Sequence, residues 1–124
     1  MKAELNEITI NDTVYVPKDS VTHTKAESFD GMDYVIVRTY SAGVFAGYLE
    51  QQKGKEVVLK QARRLWYWKG AASLSQLAME GVGSPSECKF PIEVDSITLT
   101  EAIETLFCTE RARISIKEVP IWKA

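Results

Sequence analysis

Residues 34–48 read Tyr34, Val35, Ile36, Val37, Arg38, Thr39, Tyr40, Ser41, Ala42, Gly43, Val44, Phe45, Ala46, Gly47 and Tyr48. In residues 34–40, Val35 and Val37 alternate with Tyr34, Ile36 and Arg38, which is the two-residue period of a strand built from β-branched and aromatic side chains. Ser41, Ala42 and Gly43 turn the chain, and residues 44–50 supply the return strand. Lys53 and Gly54 close a second turn, after which residues 56–59 and the run Arg63, Arg64, Leu65, Trp66, Tyr67 and Trp68 continue the sheet. The expectation is an antiparallel meander of about three strands with one face on the core and the other free for solvent or a ligand.

Working outward, the N-terminal stretch Glu7, Ile8, Thr9, Ile10 and its echo Thr13, Val14, Tyr15, Val16 flank Asn11 and Asp12, a small hairpin. Residues 17–33 turn polar and read as a surface loop, or as a short helix over residues 21–29. Past Gly70, Ser73 and Gln76 hold capping-box spacing, Leu74, Leu77 and Ala78 share a helical face, and Gly81 is placed to stop the helix. Residues 81–91 read as loop. The even spacing of Ile97, Leu99, Ile103 and Phe107 favours a further strand, although residues 100–104 would tolerate helix. Thr109 caps a last helix holding Arg111, Ala112, Arg113 and Ile116, which Pro120 ends. The fold class expected is α+β: an antiparallel sheet of about five or six strands with two short helices toward the C-terminal half.

The chain has 124 residues, 45% of them hydrophobic, so residues 1–124 are read as a single domain with a modest core. No apolar run is long enough to span a membrane, and the polar start lacks secretory character, so an intracellular, soluble protein is expected. Cys88 and Cys108 lack C-x-x-C spacing and are expected to be free thiols. With 15 basic and 17 acidic residues the formal charge is −2, which argues against a long nucleic acid as the main partner. The single histidine, His23, sits in a polar segment, which gives little support to His-based catalysis or a metal site. Neither a P-loop nor a dinucleotide-binding fingerprint occurs. No enzymatic activity, metal or cofactor is expected.

Four features suit a small anionic, aromatic ligand. If the chain stays extended, Arg64, Trp66 and Trp68 share one face, a guanidinium fork for phosphate beside rings that stack a base. The same residues would equally serve as core aromatics with an arginine stem packed over them. Arg38, Thr39 and Tyr40 lie at a strand end beside Gly43, where backbone amides approach an anion; they also describe an ordinary polar hairpin. The start of the Ser73 helix favours an anion unless Ser73 itself satisfies its amides. Arg111 and Arg113 flank one helical face, a solvated charge cluster unless Phe90 or a partner subunit completes a pocket.

The block over residues 34–48, with residues 62–68 and 70–78, resembles a family of small phage proteins and is similar to the Thoeris anti-defence sponge family. The likeness runs from Tyr34 onward and includes Cys88, Lys89, Phe90, Pro91, Thr109 and Glu110. It implies a phage protein acting in the host cytoplasm that sequesters, uncleaved, a cyclic ADP-ribose isomer made by TIR-domain enzymes, with cyclic di- or trinucleotides as further ligands. It also implies a homo-oligomer, dimer or hexamer, with pockets shared between subunits. The family's aromatic and arginine clasp would fall on Phe90, Arg111 and Arg113, although Glu87 stands where a polar amide is expected. Two alternatives follow from the residues themselves: a phage structural or protein-interaction component using the Trp/Arg strand as its interface, and a nucleotide-degrading enzyme.

Overall fold

The computed structural model describes residues 8–10, 13–15 and 24–124. Strands β1 (Ile8–Ile10) and β2 (Thr13–Tyr15) pair antiparallel as a separate hairpin. Its turn residues Asn11 and Asp12, and residues 17–23 of the polar segment with His23, lie outside the described residues. The main body runs β3 (Tyr34–Thr39), β4 (Val44–Lys53), β5 (Glu56–Arg64), α1 (Leu74–Glu80), a 3-10 turn (Pro85–Glu87), β6 (Val94–Leu99), β7 (Ala102–Phe107) and α2 (Glu110–Glu118). The five strands form one antiparallel sheet in the order β6-β5-β4-β3-β7, an α+β fold with both helices in the C-terminal half.

This sheet cannot be flat. Strands β6 and β7 occupy its opposite edges, yet only Thr100 and Glu101 separate them. A flat five-stranded sheet would hold its edges roughly 19 Å apart, whereas the link from Leu99 to Ala102 spans at most about 11 Å. Both strands are antiparallel to their neighbours β5 and β3, so they act as one interrupted strand that zips first one edge and then the other. Where they meet, Ala102 donates its amide to the Lys55 carbonyl and Tyr40 donates to Glu101.

Three irregularities in the ladder supply the curl. Pairing shifts between Ala46 and Tyr48, between Leu49 and Gln51, and between Arg38 and Thr39. An extra residue on one strand increases local twist and bends it. At the first shift the bulged strand places Gln61 at φ 50°, and a Cβ on the facing Gly47 would stand 3.0 Å from the Lys60 carbonyl oxygen. Glycine suits the position, because any side chain there would push the Lys60 and Ala62 backbone back by a few tenths of an ångström.

Curling divides the core in two. Val35, Val37, Phe45, Val57, Leu59 and Leu99 fill the inside of the curl. Tyr34, Ile36, Ala46 and Tyr48, on the alternate positions, face the helices and pack with Leu65, Leu77, Phe90, Ala112 and Ile116. Both faces of β3 are therefore covered, which explains a strand whose first four residues are all buried.

The helices begin where expected. Ser73 accepts from the Gln76 amide and the Gln76 side chain accepts from the Ala72 amide, so the start of α1 is capped from within the chain. Thr109 accepts from the Ala112 amide and donates to the Met79 carbonyl, fastening α2 to the end of α1. Both cysteines are buried free thiols, and burial pushes the Cys108 thiol up to about 12. Among the described residues, no helix is long and apolar enough to cross a membrane.

Candidate functional site

Strand β5 ends at Arg64, so the sheet does not continue through Trp68 as its alternation suggested. Leu65 still donates to the Val44 carbonyl and is buried, after which the chain leaves β4 and Tyr67 pairs with Lys89 instead. The three residues expected to share a face are thereby separated in environment. Trp66 is 64% exposed, Trp68 is partly buried against the helix-side core, and Arg64 lies over a different ring, Phe45.

The Arg64 guanidinium stands 4.4 Å from the Phe45 ring centroid and donates to the Ala42 carbonyl at 2.6 Å. The ladder places them side by side, since β4 and β5 pair Phe45 with Arg64 at the end opposite the Gly54 turn. Arg64 forms no ion pair among the described residues. It borders a cavity of about 200 Å³ walled by Phe45, Ala62, Pro91, Ile92, Val94 and Ile97, in which Arg64 is the single charged side chain. A guanidinium held over a ring, with no carboxylate partner among the described residues, can receive an anion while the apolar wall receives a ring.

Arg38 and Thr39 are tied into the fold, whereas Tyr40 is not. Arg38 pairs with Glu104 on β7 at 2.7 Å. Thr39 is buried, donates to the Gly43 carbonyl and accepts from the Ala42 amide, so its hydroxyl shapes the turn. Tyr40 is 79% exposed and borders a separate cavity of about 280 Å³ with Lys55, Glu101 and Ile103.

The clasp inferred from the resemblance does not form within the chain. Phe90 is completely buried, because its ring is part of the core between sheet and helices, and it cannot stack a ligand. Arg113 is committed: it binds both oxygens of Glu110 and donates to the Tyr48 hydroxyl. Arg111 is exposed on the other side of the buried Ala112, beside a cavity of about 230 Å³ near Gly81 and Glu80.

Arg63 and Phe45 were missed. Arg63 is 3% exposed and donates to the carbonyls of Phe90, Pro91 and Ile116, closing the C-terminal end of α2 onto the sheet. Desolvation lowers its pKa, yet no carboxylate pairs with it among the described residues. Strict alternation along β5 would have signalled that one of two adjacent arginines must point inward. The partnership of Phe45 with Arg64 follows from carrying the Lys53 to Glu56 pairing along the hairpin, because its two shifts cancel.

A family profile described as Domain of unknown function (DUF6948) matches residues 32–116. The chain belongs to that family. The matched span takes in all five strands of the DUF6948 sheet, α1 and most of α2, and therefore both Phe45 and Arg64. No curated protein and no solved structure matches the chain.

Proposed function

We propose that this DUF6948 protein is a binding protein that holds a small anionic ligand with its charge on Arg64 and its flat ring on the exposed Ile92 and Val94 wall, the buried Phe45 backing the guanidinium, and sequesters it without cleaving it. The observation that carries this reading is the Arg64 guanidinium lying 4.4 Å over Phe45 at the edge of an apolar cavity, free of any ion pair among the described residues. The cavity side chains offer one cation and apolar surface, with no nucleophile or general base, which favours retention over turnover.

The resemblance of residues 34–48, 62–68 and 70–78 to phage anti-defence sponges supplies the ligand class: a cyclic ADP-ribose isomer, with cyclic di- or trinucleotides next, captured in the host cytoplasm. A cavity of about 200 Å³ falls below the roughly 300–1,000 Å³ that encloses a drug-sized molecule. A homo-oligomer in which a second copy adds a wall would answer that shortfall. Sequestration then needs only a dissociation constant below the signal concentration and protein in excess of it.

The test is thermal shift and recovery of intact ligand with a panel of cyclic ADP-ribose isomers and cyclic oligonucleotides. Arg64→Ala should abolish stabilisation by the ligand, the unliganded melting temperature falling modestly with the loss of the Ala42 and Phe45 contacts. If no panel member stabilises the wild-type protein, the reading fails. The second reading, a phage structural or protein-interaction component, is favoured by Trp66, a large ring left 64% exposed. Under it, Trp66→Ala would disrupt assembly and Arg64→Ala would change nothing.

A further inference from the structure

Tyr67, Lys89 and Trp122 come from three separate segments and are brought together by backbone pairing. Tyr67 and Lys89 exchange two hydrogen bonds, Lys89 N to Tyr67 O at 2.7 Å and Tyr67 N to Lys89 O at 3.3 Å. Next to them, Phe90 and Ile121 form a parallel bridge and the Trp122 amide donates to Phe90 O at 3.0 Å. The Lys89 ammonium stands 5.8 Å from the Tyr67 ring and 5.7 Å from the Trp122 ring. The platform is rigid, because Phe90 beneath it is fully buried and Arg63 holds the Phe90 and Pro91 carbonyls.

Its upper surface is open. Tyr67 is 48% exposed and Trp122 45% exposed, and Lys89 makes no ion pair among the described residues. Lys123, also exposed, follows directly. Two half-exposed rings, each within about 6 Å of the same unpaired ammonium, match a chain of flat bases joined by phosphates. An acidic peptide would satisfy Lys89 and leave the ring faces without planar partners.

We propose that the Tyr67, Lys89 and Trp122 face binds a short single-stranded nucleic acid, with bases stacked on the rings and a phosphate on Lys89. The overall charge of −2 opposes a long polyanion, so only the few nucleotides over this face are held. The surface uses none of the Arg64 cavity residues, and the proposal stands whether or not that cavity holds a ligand.

The test is fluorescence anisotropy of a labelled twelve-residue oligo(dT) at two or more salt concentrations, with a duplex of equal length as comparison. The Lys89 contact gives a log–log salt slope of about −0.7 for a single strand, which Lys89→Met should bring close to zero. Trp122→Ala should weaken binding by roughly 5- to 150-fold, the loss of one stacked base, while thermal melting verifies that it folds. Absence of single-strand binding at low salt overturns the proposal, as does equal affinity for the duplex. It is also overturned if Trp122→Ala leaves affinity unchanged, or dissociates an oligomer that ignores the oligonucleotide.

Discussion

Both oxygens of the Glu110 carboxylate are taken by one guanidinium, that of Arg113 one turn further along α2, at 3.0 and 2.6 Å. The same carboxylate accepts from the Glu27 amide, and the same guanidinium donates to Tyr48, so the pair joins the first turn of α2 to β4 and to the segment before β3. These hydrogen bonds hold the Glu110 carboxyl at about 2, below its ordinary 4.5. A depressed carboxylate contributes its full stability above its unfolded value and loses it as the pH falls through the folded one. Urea unfolding from pH 7 to pH 2 should show stability declining below about pH 4.5. Glu110→Gln should flatten that decline and lower stability at pH 7 by about 1–2 kcal/mol. An unchanged acid limb would dismiss the pair as the cause.

Arg63 replaces a carboxylate partner with three carbonyls. Arg63→Met should destabilise the fold by about 3–5 kcal/mol in chemical denaturation, because the Phe90, Pro91 and Ile116 carbonyls lose their donor together. Arg63→Lys should recover little of this, since one ammonium cannot span the guanidinium's three directions. A loss under about 1 kcal/mol for either variant would contradict the assigned role.

Phe90 separates the structure from the inherited clasp. Phe90→Ala should cost about 3–5 kcal/mol of stability, whereas Phe90→Leu should keep most of it. Were Phe90→Ala to leave unfolding unchanged and abolish ligand binding alone, the ring would have to be a ligand contact after all.

Gly70 and Gly31 form an internal control for backbone strain. Both have positive φ, 95° and 78°, but a Cβ on Gly70 would stand 2.3 Å from the Gly83 amide nitrogen, while one on Gly31 meets nothing within 4 Å. Gly31→Ala should cost roughly 1 kcal/mol, the left-handed penalty alone. Gly70→Ala should cost several-fold more, because the atoms it strikes are backbone. Equal thermal shifts for the two would rule out the close approach as the reason.

The strands and caps were legible because their signals are local. Alternation marked β3, Lys53 and Gly54 marked the β4–β5 turn, and Ser73 and Thr109 cap their helices as their spacing implied. The even spacing of Ile97, Leu99, Ile103 and Phe107 correctly suggested extended chain, but Ile97 and Leu99 pack inside the curl while Ile103 and Phe107 are exposed. Ile103 falls at the shift beside Arg38 and Thr39, a bulge that leaves no mark in composition, whereas Phe107 pairs with Val35, on the side of Ile97 and Leu99, and is exposed at the end of β7. The site was less legible. Arg64, Trp66 and Trp68 have the right spacing, but the strand that would align them stops at Arg64. Phe90 and Arg113 were misplaced because nothing local tells a buried ring or a satisfied arginine from a ligand contact.

The two-residue link at Thr100 and Glu101 also governs the order in which the protein can be completed. During synthesis β3, β4 and β5 emerge first, and both outer strands of that meander expose unpaired amides and carbonyls until a single later segment seals them together. Val35 must wait for Phe107, far along the chain, so the last step joins remote ends and is slow compared with hairpin formation. A ribosome-bound fragment ending before Val94 would therefore be a sticky, half-built sheet, and the emergence of β6 and β7 is the moment it becomes safe from its neighbours.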